Sequence, residues 1–139
     1  GQILVLVEPG TPAGLSVSAA ARAVLDANQA HIAAPCPGNV VCPVAPPAWC
    51  HFSARLPRLR AHRAAKGADV PFEDERYAYL VAVRPGIAVT PAAARILRPP
   101  RADKAGTFFA LCTPAGAVSR TVASRDREAH RLTRRLGWG

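Results

Sequence analysis

The chain has 139 residues, half of them hydrophobic, which is one domain's worth of sequence with enough apolar matter for a core. Lys and Arg total 18 against 9 Asp and Glu, a formal net charge of +9, and a surplus of that size draws polyanions, nucleic acid foremost. No apolar run approaches the roughly 20 residues that a membrane-crossing helix needs, so no membrane partner is expected.

In chain order, Gln2–Val7 carries an uninterrupted apolar run, as expected of a strand buried on both faces of a parallel sheet. Glu8-Pro9-Gly10-Thr11-Pro12-Ala13-Gly14 follows as a turn at its carboxyl end. Ser16 to Asn28 has helical spacing, with Leu15 or Val17, Ala20, Val24 and Ala27 on the apolar face and Arg22 and Asp26 off it. His31–Ala34 is a short second strand. Strand, helix, strand over residues 1–34 predicts the parallel βαβ unit of a doubly wound sheet. Ligands of such sheets sit beyond the carboxyl ends of the strands, so Glu8-Pro9-Gly10 and the loop after Ala34 should be neighbours.

Residues 35–67 hold that loop and a basic segment. Arg55, Arg58, Arg60, Arg63 and Lys66 form a dense run with no acid among them. Their mutual repulsion calls for a polyanion nearby, which makes them the candidate nucleic-acid-binding residues. Past Pro57 the run predicts a short helix ending at Gly67. Residues 68–139 begin with an acidic patch at Phe72–Arg76, then a strand over Tyr77–Arg84 with Tyr77, Tyr79, Val81 and Val83 on one face. Ala94–Arg98 predicts another strand. Thr107–Cys112 and Val118–Val122 predict a hairpin around Pro114-Ala115-Gly116. Ser124 is placed to cap a final helix to Leu136, with Ala129, Leu132 and Leu136 as its apolar stripe. No repeat or linker divides the chain, so residues 1–139 read as a single unit. The chain opens inside a strand and contains no Met, and is expected to be a piece of a longer protein.

Three of the four cysteines crowd one proline-rich stretch, Cys36, Cys42 and Cys50, with Cys112 far downstream: C-x5-C-x7-C, a long gap, then C. Five prolines rule out a regular helix or central strand there, so another agent must fix the loop's shape. Two disulfides would suit a secreted protein, and nothing else here looks secreted. Three cysteines in such a loop are poorly placed as core filler. A four-thiolate metal site is the favoured reading. Zinc sites usually carry C-x2-4-C knuckles, which are absent. The wider gaps suit an iron–sulfur cluster, so a [4Fe–4S] cluster is favoured, with zinc as the runner-up. His51 could replace a cysteine.

The succession Leu6–Gly14, His31–Pro37, Trp49–Ser53, His62–Gly67, Phe72–Leu80 and Arg95–Pro100 resembles the small-ribosomal-subunit methyltransferase-like family, which includes mitochondrial ribosome assembly factors and their bacterial relatives. The resemblance spans nearly the whole chain. It implies an α/β fold, the carboxyl half of a Rossmann-like class I methyltransferase, with a four-cysteine metal-cluster loop, a late β-hairpin and a C-terminal helix. It implies a [4Fe–4S] cluster on Cys36, Cys42, Cys50 and Cys112, and a cofactor-facing segment at Glu8, Pro9 and Gly10 after the fourth strand. It also implies rRNA and the small ribosomal subunit as partners, in the bacterial cytoplasm or in mitochondria. The glycine loop that binds S-adenosylmethionine in such folds is absent, so cofactor binding is expected only together with the missing amino-terminal half. Alone, the chain should expose apolar surface on Gln2–Val7.

Two functions follow. One is an S-adenosylmethionine-dependent rRNA methyltransferase with a structural cluster. The other is a non-enzymatic assembly factor in which the cluster, or zinc, shapes an RNA-binding surface.

Overall fold

The computed structural model describes residues 2–138. The elements run β1 (Ile3–Pro9), α1 (Pro12–Ala27), β2 (His31–Ala34), β3 (Phe52–Pro57), α2 (Arg60–Lys66), β4 (Phe72–Val83), β5 (Arg95–Ile96), β6 (Arg101–Ala102), β7 (Gly106–Thr113), β8 (Gly116–Ala123) and α3 (Arg127–Thr133). They form two antiparallel sheets. In the first, β4 is the common partner. β1 lies along one edge of it, from Ile3 opposite Val83 to Pro9 opposite Tyr77. The other edge is shared by β2, opposite Val83 to Val81, and β3, opposite Tyr77 to Phe72.

This arrangement corrects the parallel βαβ expectation. Both β1 and β2 run antiparallel to β4, hence parallel to each other, but β4 lies between them. The crossover through α1 therefore spans one inserted antiparallel strand, and the sheet is antiparallel at every pairing. β1 forms where the apolar run predicts it, but it is not buried on both faces. Ile3, Val5 and Val7 are 65%, 60% and 62% exposed: alternation puts them on one face of β1, while Leu6 on the other face packs against the core. The expected apolar exposure at this end of the chain is therefore observed.

α1 starts four residues before the predicted Ser16. Thr11 caps it, its hydroxyl accepting from the Gly14 amide at 3.1 Å, and Pro12 occupies the first turn, where its missing N–H costs nothing. The helix buries Gly14 and Ser18, with Leu25 packed on the core of Ile32, Leu80 and Ala82. Val17 and Val24 of the predicted stripe are exposed; in a helix this rich in alanine, periodicity marks the buried face weakly.

Two strands go beyond the sequence pattern. β3 pairs its basic residues with the acids of β4, Arg55 opposite Asp74, so the acidic patch at Phe72–Arg76 is the first half of a twelve-residue strand. β6 adds two residues to the second sheet, in which β5 and β6 flank one edge of β7 and β8 the other. β5 is two residues long, shorter than predicted. The hairpin β7–β8 is as expected, with Gly116 at φ 115°. α3 is capped by Asp126, whose carboxylate accepts from the Ala129 amide at 3.1 Å, and not by Ser124, whose hydroxyl donates to the Lys104 carbonyl. Leu132 and Leu136 are exposed. The buried contact of α3 is Thr133, hydroxyl to hydroxyl with Thr107 of β7 at 3.3 Å.

The turn after β1 is held by close backbone packing. Gly10 is buried, its amide donates to the Arg76 carbonyl at 2.9 Å, and an added Cβ would stand 2.6 Å from the Tyr77 nitrogen. Gly10→Ala is expected to lower stability by about 1–3 kcal/mol, the usual range for forced overpacking, read as a lower urea midpoint with an unchanged slope.

Candidate metal centre

The loop of residues 35–51 leaves β2 and returns into β3, both on the same edge of β4. Its interior is held by side chains rather than by secondary structure. Asn39 donates to the Ala30 carbonyl at 2.8 Å and accepts from the Ile32 amide at 2.8 Å, closing the loop onto the start of β2. The Arg22 guanidinium reaches from α1 to the carbonyls of Gly38, at 3.1 Å, and Val40. Arg95 of β5 donates to the Pro35 carbonyl at 2.9 Å. The indole N–H of Trp49 donates to the Gly10 carbonyl at 2.9 Å. That last bond bears out the expected proximity of the cysteine loop and Glu8-Pro9-Gly10.

Cys36, Cys42, Cys50 and Cys112 all line one cavity of about 80 Å³. None is in a disulfide. α1 supplies Leu15, Ser18 and Arg22 to the wall, and the second sheet supplies Arg95 and Cys112. Cys36 packs against the core, and Cys112 on β7 is 7% exposed. Arg95 and Cys112 face each other in the β5–β7 register.

Burial sets the electrostatics. It pushes the Cys50 thiol up to about 12, with the neighbouring Cys36, Cys42 and Cys112 adding repulsion between thiolates. Burial also raises Cys36, opposed by the Arg22 and Arg95 guanidiniums, and it raises Cys112. At neutral pH the buried thiols are therefore protonated, and a cation in their midst would be needed to hold them as thiolates.

As placed, no three His, Cys, Asp or Glu side chains among the described residues converge closely enough to grip a metal ion. The donor set nonetheless fits a four-thiolate centre. Four free sulfurs from distant parts of the chain meet on one apolar cavity, two guanidiniums stand by to offset their charge, and the Ser18 hydroxyl on its wall is buried without a hydrogen-bond partner. Such an orphaned donor suits a sulfur acceptor, and hydrogen bonds to sulfur tune clusters of this type. His51 does not line this cavity. It stacks on Trp49, with ring centroids 5.4 Å apart, and meets Trp138 edge-on at 5.4 Å.

The three candidate cofactor-facing residues are spent differently. Gly10 uses both backbone groups internally, as above. Glu8 is half-buried and Pro9 exposed at the end of β1. Arg22, Arg95, Ser18 and Trp49 carry no signal in the sequence that marks them as site residues. Each is one ordinary residue in its segment, and only the fold brings them to the loop.

The basic run does not stand without acids. Arg55 grips Asp74 with two hydrogen bonds, at 2.8 and 2.9 Å. Glu73 receives Arg58 at 3.0 Å, Lys66 at 2.8 Å and His62 at 3.4 Å. Arg63 donates to the Ala68 and Asp69 carbonyls. Of the five, Arg60 alone has no such partner among the described residues. The repulsion expected from the sequence is thus answered by β4, whose acids lie across the strand pair.

A family model for the mitochondrial small ribosomal subunit protein Rsm22 matches residues 1–139. The chain belongs to the Rsm22 family. It is a methyltransferase-like protein related to, and associating with, the small ribosomal subunit. No curated protein matches it. No helix among the described residues is long and apolar enough to cross a membrane.

The hydrogen bond from Lys66, joined by that from Arg58 and opposed by desolvation, holds the Glu73 carboxyl below the ordinary range. A carboxylate of lowered folded pKa stabilises the fold at and above neutral pH, and that contribution is lost as pH falls through the folded value, below the ordinary value of about 4.3. Glu73→Gln is therefore expected to lower the melting temperature at pH 7. It should also flatten the acid limb of the stability profile relative to wild type, read by thermal melts from neutral to strongly acidic pH. An unchanged acid limb would show that the cluster does not couple to folding.

Proposed function

We propose that the chain is part of an rRNA-binding, methyltransferase-like protein of the small ribosomal subunit, and that Cys36, Cys42, Cys50 and Cys112 hold a structural [4Fe–4S] cluster, with zinc as the runner-up. The observation that carries the reading is the single cavity lined by all four thiols, between the loop and the second sheet. When bound, a cluster would supply four sulfur bonds in place of the secondary structure that the proline-rich loop lacks. Family membership supports a ribosome-associated site of action, in mitochondria or in the cytoplasm.

In this reading Cys36 and Cys50 enter the site from the two ends of the loop and Cys112 from β7, while Arg22 and Arg95 hold the loop's carbonyls and offset anionic charge. The glycine loop that binds S-adenosylmethionine in such folds is absent from these 139 residues, so the reading gives this chain only Glu8, at the carboxyl end of β1, on the cofactor side. A second reading, a non-enzymatic assembly factor, is favoured by one specific observation. The Gly10 amide and carbonyl are both committed, to Arg76 and Trp49, so Glu8-Pro9-Gly10 has a packing reason to exist without any cofactor.

Metal and sulfide analysis of anaerobically prepared protein is expected to give iron and acid-labile sulfide in equal amounts, with each single Cys→Ser change lowering both. Stoichiometric zinc without sulfide would select the runner-up, and protein without metal would remove the centre altogether. Methyl transfer to small-subunit rRNA by the full-length protein, lost in Glu8→Ala, would support the enzyme. Normal subunit assembly by Glu8→Ala protein that no longer binds the cofactor would select the assembly factor.

A further inference from the structure

Residues 95–139 carry ten of the eighteen Lys and Arg residues but only three of the nine acids. Nine of those ten are exposed; the exception, Arg95, is committed to the cysteine loop. Among the described residues none of the nine makes an ion pair. Two of the three nearby acids are already spent on backbone amides, Asp103 on Ala105 and Gly106, and Asp126 on Ala129. This is the reverse of the α2 run, where β4 supplies a carboxylate to three of the five residues.

The arginines are also arranged. Arg127 and Arg131 stand at i and i+4 on α3, and Arg134 at its C-cap and Arg135 just past it continue the same spacing in the sequence, while Thr133 anchors α3 to Thr107. Arg120 lies opposite Phe109 on β8, and strand alternation places it on the same side of the hairpin as Thr107, the side on which α3 sits. Favourable placement of cations near a helix carboxyl end explains one or two of these arginines, not a whole unpaired stripe with a sheet residue beside it.

We propose that the surface that grips RNA is the arginine side of α3 and its carboxyl end together with the β7–β8 hairpin, and that the basic run at Arg55–Lys66, three of whose five cations are already held by β4 carboxylates, is a folded structural element. The proposal rests on the rRNA-binding reading above and deepens it by naming the surface. Arginine forks on one side suit the phosphate backbone, which accepts bidentate donors without regard to sequence. Arg101 of β6 lies opposite Phe108, with its guanidinium 5.5 Å from the centre of that ring, so it stands on the other face of the sheet and is not part of this surface.

The test is fluorescence anisotropy of a labelled RNA hairpin with the full-length protein across a salt series. Arg127→Ala, Arg131→Ala and Arg135→Ala together are expected to weaken binding roughly tenfold and to reduce the salt slope by about 0.7–0.9 for each phosphate that is no longer neutralised. Arg60→Ala, Arg63→Ala and Lys66→Ala together should leave the slope at the wild-type value. Should the α3 variant fail to fold by circular dichroism, Arg120→Glu asks the same question from the sheet. Wild-type binding untouched by the hairpin and α3 changes, or abolished by the α2 changes, overturns this surface and leaves the RNA reading standing. A wild-type protein that binds no RNA overturns both. Competition by polyglutamate as strong as by unlabelled RNA would overturn it too, assigning the surface to an acidic protein instead.

Discussion

Everything in the first half of the chain is organised by one strand serving three partners. β4 is long enough for β1 to run along one edge while β2 and β3 divide the other. The loop between β2 and β3 therefore leaves β4 at Val81 and returns at Tyr77, about 13 Å away at the usual rise of about 3.3 Å per residue. Residues 35–51 are far more chain than that span requires. The excess must stand off the sheet, and Arg22 from α1 and Arg95 from β5 hold it there. Loop-closure entropy for such a segment is modest, because the cost grows only slowly with length. Its internal order is the harder problem, since five prolines remove backbone donors that would otherwise hold it.

The two sheets meet through this loop rather than strand against strand. Cys112 approaches the loop's cysteines from β7, Arg95 bonds Pro35, and Trp138, past α3, packs near Phe52 and His51. A cavity whose walls come from α1, the loop and the second sheet is therefore a joint as much as a site. Buried thiols held protonated make a weak joint. They offer little hydrogen bonding and repel one another if ionised. A cation held there, as proposed, would crosslink the loop to the second sheet.

Much of this is legible in the residues where local chemistry decides the outcome. The apolar run of β1, the alternation from Tyr77, the hairpin at Gly116 and the cap at Gly67 all appear where the pattern places them. The four cysteines are legible as a set, and the fold brings them to one cavity. What is not legible depends on partners distant in sequence. The parallel sheet does not form as expected because nothing local announces that β4 inserts between β1 and β2. β3 and the start of β4 look like separate basic and acidic patches because each is a poor strand alone. Placed side by side, Arg55 and Asp74 satisfy one another, and opposite charges across a strand pair stabilise it. The apolar stripe of α3 is not used because a helix of seven residues docks through one threonine rather than a leucine seam.

That lesson bears on how charge is read. A dense basic run in sequence is not a basic surface until the fold shows what lies opposite it. Glu73 takes Arg58, Lys66 and His62 within 3.4 Å, which leave its side chain little open to solvent. Surface ion pairs contribute little each, but three partners on one carboxylate fix the orientation of α2 against β4. The charge that remains unanswered lies in the carboxyl-terminal third, where the acids are few and two of them are committed to capping and turn amides. Unanswered charge of one sign costs self-repulsion in the free protein, and that cost is recovered only when a polyanion is bound. In the proposed reading, the arginines that repel one another in the free protein are those that meet the phosphate backbone.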